Sequence, residues 1–118
     1  MPTVFVVSPL WDLRGAVRAE LLHAGVNALG MESIRDLADA IADGTAPSLV
    51  IVDGDLLHDA ASRNSLGNLS RWAHLLVIDS SVSPAPAIPG STVLQRPVLV
   101  RQVVDQALEC LRKGSQAR

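Results

Sequence analysis

Leu49-Val50-Ile51-Val52, closed by Asp53-Gly54-Asp55, is the stretch on which the fold of this 118-residue chain turns. Side chains alternate between the two faces of a strand, so a run that is apolar at every position has no face left for water. Such a strand belongs in the middle of a parallel sheet covered on both sides. Working outward, Leu75-Leu76-Val77-Ile78 repeats the pattern and stops at Asp79, and Val4-Phe5-Val6-Val7 repeats it and stops at Ser8-Pro9. Val93-Leu94 forms a short last strand before Arg96-Pro97, and the apolar segment Val26 to Leu29 supplies the remaining one.

Between these runs the period changes to that of a helix. Ser8 is placed to cap the first helix, with Pro9 in its first turn. Leu13, Val17 and Leu21 then face inward, with Arg14, Arg18 and Glu20 on the solvated side and Gly25 at the end. Ser33-Ile34-Arg35-Asp36 has the spacing of a helix start, with Ile34, Leu37 and Ile41 as the buried stripe and Gly44 as the stop. Leu66, Leu69 and Trp72 mark a weaker helix that Gly67 and Asn68 interrupt. Val100, Val103, Val104, Ala107 and Leu111 line the closing helix, so the domain spans 1–113 and 114–118 is a fraying tail. The order βαβαβαβ, loop, βα predicts a flavodoxin-like three-layer α/β sandwich whose five-stranded parallel sheet runs 2-1-3-4-5. In such sheets ligand chemistry gathers at the carboxyl ends of the strands. Those ends carry Ser8, Asp53, Asp79 and Arg96.

Composition narrows the function classes. Apolar residues make up 48% of the chain and charged ones 19%, which predicts one globular domain rather than disorder. A net charge of −2 gives no broad positive field for nucleic acid, and 3% aromatics leave little for base stacking. The single cysteine, Cys110, has no disulfide or metal-ligand companion and reads as a small buried residue. Thr3 to Val7 is too short to span a bilayer and no signal peptide is legible, so the expected location is the cytoplasm. His23, His58 and His74 are scattered; His58-Asp59 follows the Asp53 strand but reads as solvated loop. Trp11 and Trp72 are candidates for core or interface. Neither G-x-G-x-x-G nor a P-loop is present to cradle a nucleotide.

Taken together, Leu21-Leu22-His23-Ala24-Gly25-Val26, Leu49-Val50-Ile51-Val52-Asp53 and Arg96-Pro97 give the chain a resemblance to the receiver domain of bacterial two-component response regulators, over nearly its whole length. The resemblance makes Asp53 the equivalent of the phosphoacceptor and Arg96-Pro97 the equivalent of the family's Lys-Pro pair, with a cis bond before the proline. It also implies two adjacent acids after the first strand that bind magnesium, and here those positions are Ser8 and Pro9. Neither supplies a carboxylate, and Asp12 could help only by reaching back from the helix. The family's phosphoryl-sensing Thr or Ser aligns with Asp79, next to Ser80, and a carboxylate there repels a phosphoryl group. Asp55 stands where the family uses a main-chain carbonyl as a metal ligand, and its own side chain reads as solvated. Asp53, Asp55 and Asp79 crowd one edge and call for a counter-charge, either Arg96 or a cation.

The resemblance with these departures implies a degenerate receiver: a phosphorylation-independent protein-interaction module in signalling, without cofactor and not an enzyme. The alternative is a competent receiver that takes phosphate on Asp53 from a histidine kinase, with Mg2+ as its cofactor and slow autophosphatase activity. Pro84, Pro86 and Pro89 predict that the family's fourth helix is missing or reduced between Ser80 and Gly90. That loss is expected to expose apolar surface near Val93 and the closing helix, making the Ser80–Gly90 loop and that helix the surface for a protein partner or a second copy. No nucleic acid or membrane partner is expected.

Overall fold

The computed structural model describes residues 3–79, 88 and 90–116, the last three by backbone alone. Strands β1 (Thr3–Val7), β2 (Asn27–Met31), β3 (Leu49–Asp53), β4 (His74–Ile78) and β5 (Thr92–Leu94) form one parallel sheet in the order β2-β1-β3-β4-β5. The helices are α1 (Trp11–His23), α2 (Ile34–Ala42), α3 (Ala60–Leu69) and α4 (Val100–Gln116), with a 3₁₀ turn at Gly54–Leu56. This is the expected flavodoxin-like sandwich. The expected reduction of the family's fourth helix concerns residues 80–87 and 89, which lie outside those described; so does Ser80 itself. No helix among the described residues is long and apolar enough to cross a membrane.

The pleat divides the core. Val4, Val6, Leu49, Ile51, Leu76 and Ile78 point to the side covered by α1 and α4, where they meet Val17, Leu21, Val103 and Ala107. Phe5, Val7, Val50, Val52, Leu75 and Val77 point to the other side, under Leu37, Leu66 and Leu69. Each such aliphatic side chain withdrawn from water contributes roughly 1.5–3 kcal/mol. Every residue of β3 is buried, which is why its sequence shows no alternation.

Local chemistry sets the ends of the helices. At the end of α1 the amides of Ala24, Gly25 and Val26 bond the carbonyls of Glu20, Leu22 and Leu21, with Gly25 at φ +85°, a conformation that glycine adopts without strain. Ser33 caps α2 by accepting from the Asp36 amide at 3.2 Å. Asp59 caps α3 by accepting from the Ser62 amide at 3.0 Å, so this helix begins well before the apolar spacing of Leu66 and Leu69 announces it. The Ser62 hydroxyl and amide hold the Asp59 carboxyl below its usual range.

Three local readings are corrected. Helix α1 starts at Trp11 with Leu10 in the cap position and no side-chain cap, because Ser8 stands two residues before that position, where its hydroxyl oxygen accepts from the Leu10 amide. Arg14 is half-buried rather than solvated and donates to the Ser8 carbonyl, whereas Arg18 is exposed as expected, with its Nε donating to the Ala28 carbonyl of β2. Ile41 is exposed rather than buried, on the wall of a cleft of about 400 Å³ between α2 and α3 that Ile34, Ala38, Leu69 and Trp72 also line. At the other terminus, α4 runs on to Gln116, into the stretch expected to fray.

Candidate functional site

Register assembles the site. Val7 of β1 pairs with Val52 of β3, so the next residues, Ser8 and Asp53, emerge side by side at the carboxyl edge. Asp53 pairs with Ile78 of β4, and Ile78 with Leu94 of β5, which brings Asp79 and Arg96 to the same edge. Asp53 is completely buried and Ser8 nearly so. A buried carboxylate is tolerated only with a counter-charge and hydrogen bonds to its oxygens.

Asp53 has both. Its Oδ1 accepts from Arg96 Nη2 at 2.8 Å and from the Asp55 amide at 3.0 Å; its Oδ2 accepts from the Ser8 hydroxyl at 3.0 Å. The expected bond between Arg96 and one of the two acids thus forms to the Asp53 side chain, while Arg96 Nε donates to the main-chain carbonyl of Asp79. The Arg96-Pro97 bond is cis, as the resemblance implied. Ser8 Oγ also accepts from the Leu10 amide at 3.1 Å, so this hydroxyl both donates and accepts. Among the described residues no buried side-chain nitrogen or oxygen is left without a partner.

The other residues picked out at this edge sit around the ion pair. Asp55 is half-buried in the 3₁₀ turn, and Asp79 is half-buried at the end of β4. Asp12 is exposed in the first turn of α1, and Pro9 and Pro97 are exposed. His58 lines an open cleft with Ser33, Arg35, Asp55 and Asp59 rather than the pocket around Asp53. Cys110 is buried, as expected of a lone cysteine.

Arg14 was missed. Its Nη1 donates to the Ser8 carbonyl at 2.8 Å, which fixes the backbone that carries the Ser8 hydroxyl. The stem of Arg14 crosses β2 at Gly30, where a Cβ would come within 3.2 Å of Arg14 Cγ. A glycine inside a strand is the signal for such a close approach, and Gly30 was legible as one.

Magnesium, which the receiver resemblance implies, can be tested against this donor set. A hard dication needs several oxygen ligands, carboxylates among them. Here the neighbour of Asp53 on β1 is a hydroxyl that spends its proton on the carboxylate, Pro9 has no side-chain donor, and a guanidinium already neutralises the buried charge. No group of three or more His, Cys, Asp or Glu among the described residues is arranged to hold a metal ion. The residues present do not fit magnesium.

No protein-family model and no curated protein matches the chain. Solved structures match it closely in shape. A response regulator receiver domain protein from Clostridium thermocellum superposes with a TM-score of 0.78 at 12% identity, covering 100% of both chains. A CheY-like receiver domain protein from Methanospirillum hungatei JF-1 gives 0.76 at 14% identity, over 98% of each chain. The chemotaxis response regulator CheY4 of Vibrio cholerae gives 0.73 at 17% identity, over 93% of this chain and 98% of its own. The chain therefore has the receiver-domain fold of two-component response regulators.

Proposed function

We propose that the protein is a pseudo-receiver: a non-enzymatic, cytoplasmic signalling module that works by binding protein and not by taking phosphate on Asp53. The observation that carries this reading is the hydrogen-bond set of Asp53, which ties both of its oxygens to groups other than a metal. A phosphoacceptor carboxylate must present an oxygen to an incoming phosphorus beside a cation that screens the phosphoryl oxygens. Here Oδ1 is held by Arg96 and the Asp55 amide, and Oδ2 by Ser8. Three of the roughly four lone-pair sites of this carboxylate are thus engaged, and among the described residues no group of acids is arranged to bring a metal beside it.

The partner is a protein or a second copy, bound through the Ser80–Gly90 segment and the outer side of the closing helix. Support for this placement comes from Leu99, 69% exposed just before α4, and Val93, 44% exposed in β5. A net charge of −2 disfavours nucleic acid and anionic membranes as partners.

Incubation with acetyl phosphate and Mg2+ followed by intact-mass measurement is expected to leave the protein unmodified. A stoichiometric adduct that disappears in Asp53→Asn would establish the competent receiver instead. Crosslinking at rising concentration is expected to map to the segment before β5 and to α4; crosslinks confined to α1 would move the surface.

A further inference from the structure

We infer that Ser8 is the residue that shuts this pocket to divalent cations, with the Arg96 guanidinium acting as the built-in counter-ion of Asp53. The inference rests on the pseudo-receiver reading of the site and assigns its closure to one side chain.

The geometry separates the two sides of the carboxylate. Oδ1 faces β5 and the 3₁₀ turn and is occupied by Arg96 and a main-chain amide. Oδ2 faces β1, and its neighbour there is the Ser8 hydroxyl. A cation approaching from β1 would have to displace that proton donor. It would also break a chain of bonds that begins at the Leu10 amide, since Ser8 Oγ accepts there while donating to Asp53. Arg14 holds the Ser8 carbonyl and prevents the backbone from swinging aside. Because Asp53 and Arg96 neutralise one another, an entering dication would also bring charge that the buried pair does not offset.

Replacing the hydroxyl by a carboxylate reverses this. In Ser8→Asp the new carboxyl carbon takes the place of the hydroxyl oxygen that now lies 3.0 Å from Asp53 Oδ2, so the two carboxylates come into direct contact. Like charges at that separation repel until a cation lies between them, and oxygens converging on one point are what a hard dication binds. The side chain at residue 8 would then decide whether the pocket is a hydrogen-bonded tie or a cation site.

Two measurements test this, neither using a phosphoryl donor. In the unaltered protein, millimolar Mg2+ is expected to leave the thermal midpoint unchanged, and Mn2+ is expected to cause no selective broadening of the Ser8, Asp53, Gly54 and Asp55 amide signals. In Ser8→Asp the midpoint is expected to fall without cation and to recover with Mg2+, and Mn2+ is expected to broaden residues 53–55. Selective broadening in the unaltered protein overturns the inference. So does a folded Ser8→Asp indifferent to Mg2+, or one that stays unfolded when Mg2+ is supplied. A phosphoryl adduct without Mn2+ broadening would sink the proposed function and leave this inference standing. Broadening without an adduct would do the reverse.

Discussion

The carboxyl edge of the sheet and the cleft between α2 and α3 handle unfavourable surface in opposite ways. At the carboxyl edge a fully buried carboxylate has a partner for each oxygen, drawn from β1, the turn after β3 and the segment after β5. In the cleft, Ile41 and Trp72 are left beside water, Trp72 at 84% exposure. An unpaired buried charge costs several kcal/mol, whereas apolar area left wet costs only in proportion to its extent. Residue identity is therefore tightly constrained at the first place and loosely at the second. The opposite helical layer shows what closure of the cleft would look like: α1 and α4 pack directly on one another.

The strongest way to break this contrast is Arg96→Ala. Removing one partner of a buried pair is expected to cost about 3–5 kcal/mol, measured by urea denaturation. A loss below about 1 kcal/mol would mean that water reaches Asp53 and that the pocket is no more demanding than the cleft. Next comes Ser8→Ala, which deprives both Asp53 Oδ2 and the Leu10 amide of a partner; the expected cost is about 1–3 kcal/mol. Equality with the unaltered protein would remove Ser8 from the account.

A smaller effect concerns the cap of α3, beside the cleft. Because the Asp59 carboxyl is held below its usual value in the folded protein, its contribution is complete above the ordinary aspartate range. It is lost as pH falls through the lowered value. Asp59→Ala is therefore expected to be less stable than the parent at neutral pH, with the gap closing in strong acid. A constant gap would assign the effect to helix propensity instead. Smallest of all, Trp72→Ala is expected to change stability by no more than about 0.5 kcal/mol; a large loss would show the cleft to be as demanding as the pocket.

How much was legible in the sequence follows the same division. Strands buried on both faces announce themselves as unbroken apolar runs, so the sheet, its order and the strand ends carrying Ser8, Asp53, Asp79 and Arg96 could all be read. The Arg96 counter-charge followed from crowded acids and the absence of a nearby lysine. The role of Arg14 did not, because helical spacing reports which side of a helix a residue lies on and not how far a long side chain bends back over a strand edge. Asp59 was hidden for a related reason: α3 is polar through its first turns, and only its cap marks where it starts. Ile41 sits on the apolar stripe of α2, but the stripe is wider than the contact that covers it.

The pocket also carries a consequence for the order of folding. Ser8 and Asp53 are 45 residues apart in the chain, and Arg96 and Asp53 are 43 apart. Contacts of such separation form only after long loops have closed, at an entropic cost that nearer contacts do not bear. The pairing of β1 with β3 spans the same 45 residues, so the bonds to Asp53 are completed only once the central strands have met. Substitutions at Ser8 and Arg96 would then mainly accelerate unfolding and leave the refolding rate almost untouched, making this edge a latch on the lifetime of the fold rather than a nucleus for its formation.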